Sequence, residues 1–99
     1  MKVLVKDVGK PIRSMFIPNE LGVMQQLVDG YIESVKLTDK SVMICNEEGK
    51  FNDMKRNFYM KDIKDTIFGP ALFVGVKGDE FCDLSDTEAE RIRKIFEEV

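Results

Sequence analysis

The sequence predicts an α+β domain: a mostly antiparallel sheet of five or six strands with two helices, the last of them C-terminal. Three observations predict it. Short β-rich runs are separated by Gly, Pro, Asn and Asp at hairpin spacing. Two of those runs, residues 42–45 and 71–76, are apolar almost without alternation, as in strands covered on both faces. The final stretch opens with a capping signal and continues with apolar residues at helical spacing.

Val3-Leu4-Val5 reads as the first strand, and Val8-Gly9-Lys10-Pro11 as a turn into a second over residues 12–17. Pro18 closes that strand because it has no amide to donate to a ladder. Asn19 then stands as a helix N-cap, with Glu20 suited to the positive helix start. Leu21, Met24, Leu27 and Val28 form one apolar stripe; Gly22 weakens this helix by about 1 kcal/mol relative to Ala, and Gly30 suits a left-handed end. Residues 31–37 and 41–45 pair as a hairpin around Thr38-Asp39-Lys40. The chain leaves through Asn46-Glu47-Glu48-Gly49, a turn in which Gly supplies positive φ. Residues 50–66 show no clean period, although Phe51, Met54, Phe58, Tyr59, Met60 and Ile63 are scattered through them.

Gly69-Pro70 is a break before the buried strand over 71–76. Lys77-Gly78-Asp79 turns the chain into a short strand over 80–83. Ser85-Asp86-Thr87-Glu88 has the form of a capping box, with Leu84 and Ala89 as its hydrophobic staple. Ile92, Ile95, Phe96 and Val99 line the buried side of the terminal helix, and Glu90 and Lys94 pair on its wet side. Both helices are expected to cover one face of the sheet.

The 99 residues make one domain, 1–99, with 43% hydrophobic and 33% charged residues, which is enough for a core and too apolar for a disordered chain. The net charge is −3, from 15 Lys+Arg and 18 Asp+Glu, so nucleic-acid binding is disfavoured. The acidic excess concentrates in Asp79, Glu80, Asp83, Asp86, Glu88 and Glu90, a stretch containing no cation. No h-region follows Met1, because Lys6 and Asp7 interrupt the first apolar run, and no run is long enough to span a bilayer. Cys45 and Cys82 read as reduced, core-filling thiols of a cytoplasmic protein.

Histidine is absent, which removes the usual general base and a common metal ligand and rules out Ser-His-Asp and Cys-His devices. No Gly-rich phosphate loop opens a helix. The reading is therefore non-enzymatic, with no cofactor and no metal. The polar constellation left for function is Asn46, Glu47, Glu48 and Gly49, joined by Glu33 and, along the acidic run, by Asp83 and Glu90: a surface for a partner protein. The alternative is a nucleotide-like small ligand held by Arg56, Asn57, Tyr59 and Lys61, where cations alternate with aromatics. A third construction places a divalent cation on Glu33, Glu47, Glu48 and Asp53 for phosphoryl transfer. Each has a plainer reading: a solvated turn, charges snorkelling over core aromatics, and a soluble helix face. A homodimer through the terminal helix is a further option.

The order of signals also resembles a family. Tyr31-Ile32-Glu33-x-Val35-x-Leu37, then Val42-x-Ile44-Cys45-Asn46-Glu47-Glu48-Gly49-Lys50, is similar to the signature of an uncharacterised small domain of phages, plasmids and other mobile elements. The likeness runs through Asn57, Asp65-x-Ile67-x-Gly69-Pro70, Leu72-x-Val74-Gly75 and Gly78-x-x-Phe81 to Leu84-Ser85-Asp86, over roughly residues 30–98. It departs at Lys55-Arg56-Asn57-Phe58, where the family tends to carry prolines before the Asn and an Arg after it. The resemblance implies a phage or bacterial cytoplasmic setting and no particular reaction. The resulting expectation is a binding module that acts on a host protein.

Overall fold

The computed structural model describes residues 1–97. In chain order they form β1 (Lys2–Lys6), β2 (Arg13–Phe16), α1 (Leu21–Val28), β3 (Ile32–Thr38), β4 (Ser41–Asn46), β5 (Arg56–Met60), β6 (Asp65–Phe68), β7 (Ala71–Lys77), β8 (Glu80–Cys82) and α2 (Asp86–Glu97). The main sheet has six antiparallel strands in the order β2-β1-β7-β4-β3, with β8 also paired to β7. β1 takes the first part of one edge of β7, from Ala71 to Phe73, and β8 takes the last part, from Gly75 to Lys77. β5 and β6 form a separate hairpin. The predicted α+β class, antiparallel sheet and C-terminal helix are all present.

Strand alternation sorts the core into two layers. Val3 and Val5 of β1, Ile44 of β4 and Leu72 and Val74 of β7 pack with Ile17, Met24 and Val28 on the α1 side. Leu4, Met43, Cys45, Ala71 and Phe73 point the other way, against Ala89 and Ile92 of α2 and against Phe58, Met60 and Ile67 of the β5–β6 hairpin. The helices therefore lie on opposite faces, which corrects the expectation that they share one. The reason is in the central strands. β4 and β7 are apolar on both sides, so each side needs its own cover. On the second side, Phe58, Phe73 and Phe96 pack together, with Phe58–Phe96 edge-on at 4.9 Å and Phe73–Phe96 at 5.7 Å. Val99, expected in the apolar stripe of α2, lies outside the described residues.

Several local expectations shift. Glu20, not Asn19, is the N-cap of α1, and it makes no side-chain capping bond; the Asn19 amide instead donates to the Phe81 carbonyl at 3.0 Å, tying the helix entry to β8. The left-handed residue ending α1 is Asp29, at φ 60°, one position before Gly30. Gly49 does not supply positive φ. It is needed because a Cβ there would stand 2.7 Å from the Phe68 carbonyl oxygen. Only half of the capping box forms: the Glu88 amide donates to Ser85 Oγ at 3.2 Å, while the Glu88 carboxylate turns away to Thr38 and Ser41.

Candidate functional site

Asn46 ends β4 on the α1 side of the sheet and is buried. Its Nδ2 donates to the carbonyls of Val28 (3.1 Å) and Asp29 (3.0 Å), and its Oδ1 accepts the Glu48 amide at 2.7 Å. One side chain thus closes the C-terminus of α1 and starts the turn that follows. Asn46→Ala should cost about 2–3 kcal/mol, because it leaves buried carbonyls and an amide without partners. Asn46→Asp should cost at least as much, since a carboxylate would face those carbonyls at the negative end of α1. Urea unfolding of the two variants checks both.

Beyond Asn46 the turn is tightly bonded. The Glu47 amide donates to the Tyr31 carbonyl, the amides of Phe51 and Asn52 both donate to the Glu48 carbonyl, each at 2.9 Å, and the Met54 amide donates to the Gly49 carbonyl at 3.2 Å. Glu47 and Glu48 are exposed and Gly49 is buried. Two large aromatic residues bonded to this turn through their backbones are exposed: Tyr31 at 72% and Phe51 at 86%. Beside them a cleft of about 210 Å³ opens between the β3–β4 end of the sheet and β6. Glu33, Asn46, Glu47 and Gly49 of the expected partner surface line it, together with Lys50 and Asp65. Lys50 Nζ donates to Asp65 Oδ1 at 2.6 Å, a bond that holds the Asp65 carboxyl below its usual range. Lys50 is therefore occupied, and the acids of the turn keep their negative field. Cys45 lies in the wall of the cleft. Burial first, then the Glu33 and Asp65 charges, push its thiol up to about 11, so the thiolate is disfavoured as a nucleophile.

The remaining expected residues lie elsewhere. The Lys2 backbone amide donates to Asp83 Oδ1 at 2.8 Å, and Glu90 pairs with Lys94 at 3.7 Å. Lys2 also reaches Asp86 at 2.9 Å and Arg91 approaches Glu88, so folding brings cations to an acidic run that has none in sequence. Of the residues read as a nucleotide site, Asn57 lines one cavity, while Tyr59 and Lys61 line a smaller recess of about 160 Å³; Phe58 and Phe96 border both. Arg56 lines neither. Among the described residues no group of three or more His, Cys, Asp or Glu side chains is placed to hold a metal ion, so Glu33, Glu47, Glu48 and Asp53 are not assembled into the divalent-cation site constructed from the sequence.

Tyr31 and Phe51 were not among the expected contacts. The sequence carries no clear signal for them: Phe51 sits between Lys50 and Asn52 in a polar stretch, but Met54 at i+3 and Phe58 at i+7 offer it helix-spaced apolar neighbours, so nothing local marks it as exposed.

A two-sided antiparallel sheet with a helix on each face, a covering hairpin and a polar turn with exposed aromatics nearby in the chain makes a small α+β domain. The chain belongs to the family named Domain of unknown function (DUF3846), whose profile matches residues 1–97. The match includes the first thirty residues, which the resemblance read from the sequence left out. No curated protein matches the chain, and no solved structure does. Among the described residues no helix is long and apolar enough to cross a membrane.

Proposed function

We propose that this chain is a small non-enzymatic binding module of a phage or other mobile element, acting in the bacterial cytoplasm on a host protein through the face formed by Tyr31, Glu47, Glu48 and Phe51. The observation that carries the reading is the exposure of two large aromatic side chains, Tyr31 and Phe51, whose backbones are hydrogen-bonded to an acidic turn. Aromatic anchors concentrate binding energy at protein interfaces, and a rigid turn loses little entropy on docking. The carboxylates of Glu33, Glu47 and Glu48 favour a partner surface rich in Arg or Lys with an apolar pocket between the cations. The phage setting rests on the resemblance of residues 31–50 to the mobile-element signature. The non-enzymatic character rests on the absence of histidine and on the elevated Cys45 thiol.

Affinity capture from a bacterial lysate followed by titration of the captured protein tests this reading. Tyr31→Ala and Phe51→Ala should each weaken the complex about tenfold or more. The Glu47→Lys, Glu48→Lys pair should abolish it, while all of these variants keep folding stability within about 0.5 kcal/mol, as surface changes do. A complex that survives all four substitutions would overturn the assignment of this face.

A further inference from the structure

At the opposite edge of the same sheet face, β1, the β1–β2 connection, β5 and α2 border an open cavity of about 380 Å³. Its walls are Pro11, Ile12, Phe58 and Phe96, and its polar groups are Lys6, Asn57, Arg93 and Glu97. That volume lies in the range of small-molecule sites, which combine apolar walls with a few placed polar groups.

The two cations converge there for reasons visible in the strand pairing. Lys6 falls on the α2 side of β1 with Leu4, two residues along. Its ammonium donates to the Asp7 carbonyl at 2.9 Å and to Asn57 Oδ1 at 3.1 Å, which leaves one of its three protons uncommitted. Asn57 lies where the β5–β6 register shifts. Its Nδ2 donates to the carbonyls of Lys6 and Gly69, both at 2.8 Å, so the amide is fully engaged and its oxygen fixes the ammonium. From α2, Arg93 Nη2 donates to Ser14 Oγ at 2.7 Å, and the rest of the guanidinium keeps its donors. Among the described residues neither cation forms an ion pair. The charged lining, Lys6 and Arg93 against Glu97, is net positive in an acidic protein. Burial lowers the Lys6 pKa, with Asp7 opposing the shift; an anion in the cavity would offset that desolvation.

We infer that this cavity is a binding site for a small organic anion, one that carries a carboxylate or phosphate on a flat apolar body. The head would meet the free donors of Lys6 and Arg93, and the body would lie against Ile12, Phe58 and Phe96. The site is distinct from the Tyr31–Phe51 face and stands or falls independently of it.

Amide NMR titration of the isotope-labelled chain with benzoate, phenyl phosphate, benzyl alcohol and inorganic phosphate decides the matter. Benzoate, phenyl phosphate or both should produce saturable shifts at Lys6, Ile12, Phe58 and Arg93, with benzyl alcohol and inorganic phosphate binding about tenfold more weakly. The difference between benzoate and phenyl phosphate assigns the head group. Lys6→Gln and Arg93→Gln should each weaken the better aromatic anion about fivefold or more. The comparison of the four probes on the wild-type chain carries the test alone if either variant folds poorly. Shifts that do not saturate, that map elsewhere, or that are matched by benzyl alcohol or inorganic phosphate would overturn the site.

Discussion

Gly75→Ala should destabilise the chain by about 3 kcal/mol or more, whereas Gly22→Ala should stabilise it by about 0.5–1 kcal/mol, although the chemical change is the same. Gly75 lies in β7, whose last residues pair with β8, and the chain leaving β8 crosses directly over it. A Cβ at 75 would stand 2.8 Å from the Asp83 carbonyl carbon and 3.0 Å from the Cys82 oxygen, and closer still to the Asp83 oxygen. These are main-chain atoms, and they cannot rotate aside as a side chain can. The Asp83 segment is also anchored, because the Leu84 amide donates to the Lys2 carbonyl at 2.9 Å and Asp83 Oδ1 accepts the Lys2 amide. Relief would therefore require β8 to lift off β7 or α2 to shift with Leu84. Gly75 is not among the positive-φ residues, so the cost is steric and not conformational. Gly22 is exposed on α1 with open space around the added methyl, and only the helix propensity changes. A domain of this size has about 5–15 kcal/mol to lose, so urea midpoints at constant m-value resolve both effects. A Gly75→Ala midpoint equal to wild type would mean that the β8–α2 connection moves freely.

Legibility in the sequence followed the regularity of each element. β1, the β3–β4 hairpin, β7 and α2 were readable because period-2 alternation, doubly apolar runs or a capped helical stripe each continue for several residues. The β5–β6 hairpin was not readable. The register shift at Asn57 places Phe58 and Met60 inward and Tyr59 outward, and an irregularity of one residue in a strand of five erases a period-2 signal. The placement of α1 and α2 on opposite faces was implied by residues 42–45 and 71–76, because a strand without a polar side cannot face water on either.

The candidate site was legible in part, for a different reason. Carboxylates and turn residues announce themselves by type, so Glu33, Asn46, Glu47 and Gly49, which line one cleft, could be named from the sequence. What those side chains do is decided by partners remote in sequence. Asn46 is engaged by a helix end some seventeen residues earlier, and Lys50 is paired with Asp65. Lys6 and Arg93, from the two ends of the chain, meet only once β1 and α2 are packed against β5. Such couplings leave no local trace, and neither does the exposure of Phe51, whose apolar neighbours Met54 and Phe58 fall at helix spacing.

Glu88 carries the second large effect. Glu88→Ala is expected to cost about 2–4 kcal/mol, because a buried carboxylate holds two hydroxyls and a helix start together. The residue is 4% exposed. Its Oε1 accepts the Thr38 hydroxyl and, at 2.8 Å, the Ser41 hydroxyl. The Thr38 oxygen in turn accepts the Lys40 amide at 3.0 Å. Each hydroxyl has one proton and both can donate to the same carboxylate oxygen; because Thr38 Oγ1 and Ser41 Oγ lie 3.2 Å apart, removing that acceptor lets one hydroxyl turn to the other and strands the second donor beside the β3–β4 turn. The negative charge also lies in the first turn of α2, where the helix dipole favours it. The Thr38 hydrogen bond, helped by Ser41, Arg91 and Lys40 and opposed by burial, holds the carboxyl below its usual range. The unfolded chain therefore takes up the proton first as the pH falls. The stabilisation from ionised Glu88 is complete above the unfolded carboxyl value of about 4.3 and is lost as the pH drops through the lower folded value. Glu88→Gln keeps an oxygen for both hydroxyls but cannot ionise, so it imitates the protonated acid. Its deficit against wild type should be present at neutral pH and should close as the pH falls through that window, while the Glu88→Ala deficit persists. Urea unfolding across the acid range separates the two, and a Glu88→Gln deficit that stays constant with pH would show that Glu88 acts through shape and hydrogen bonding and not through its charge.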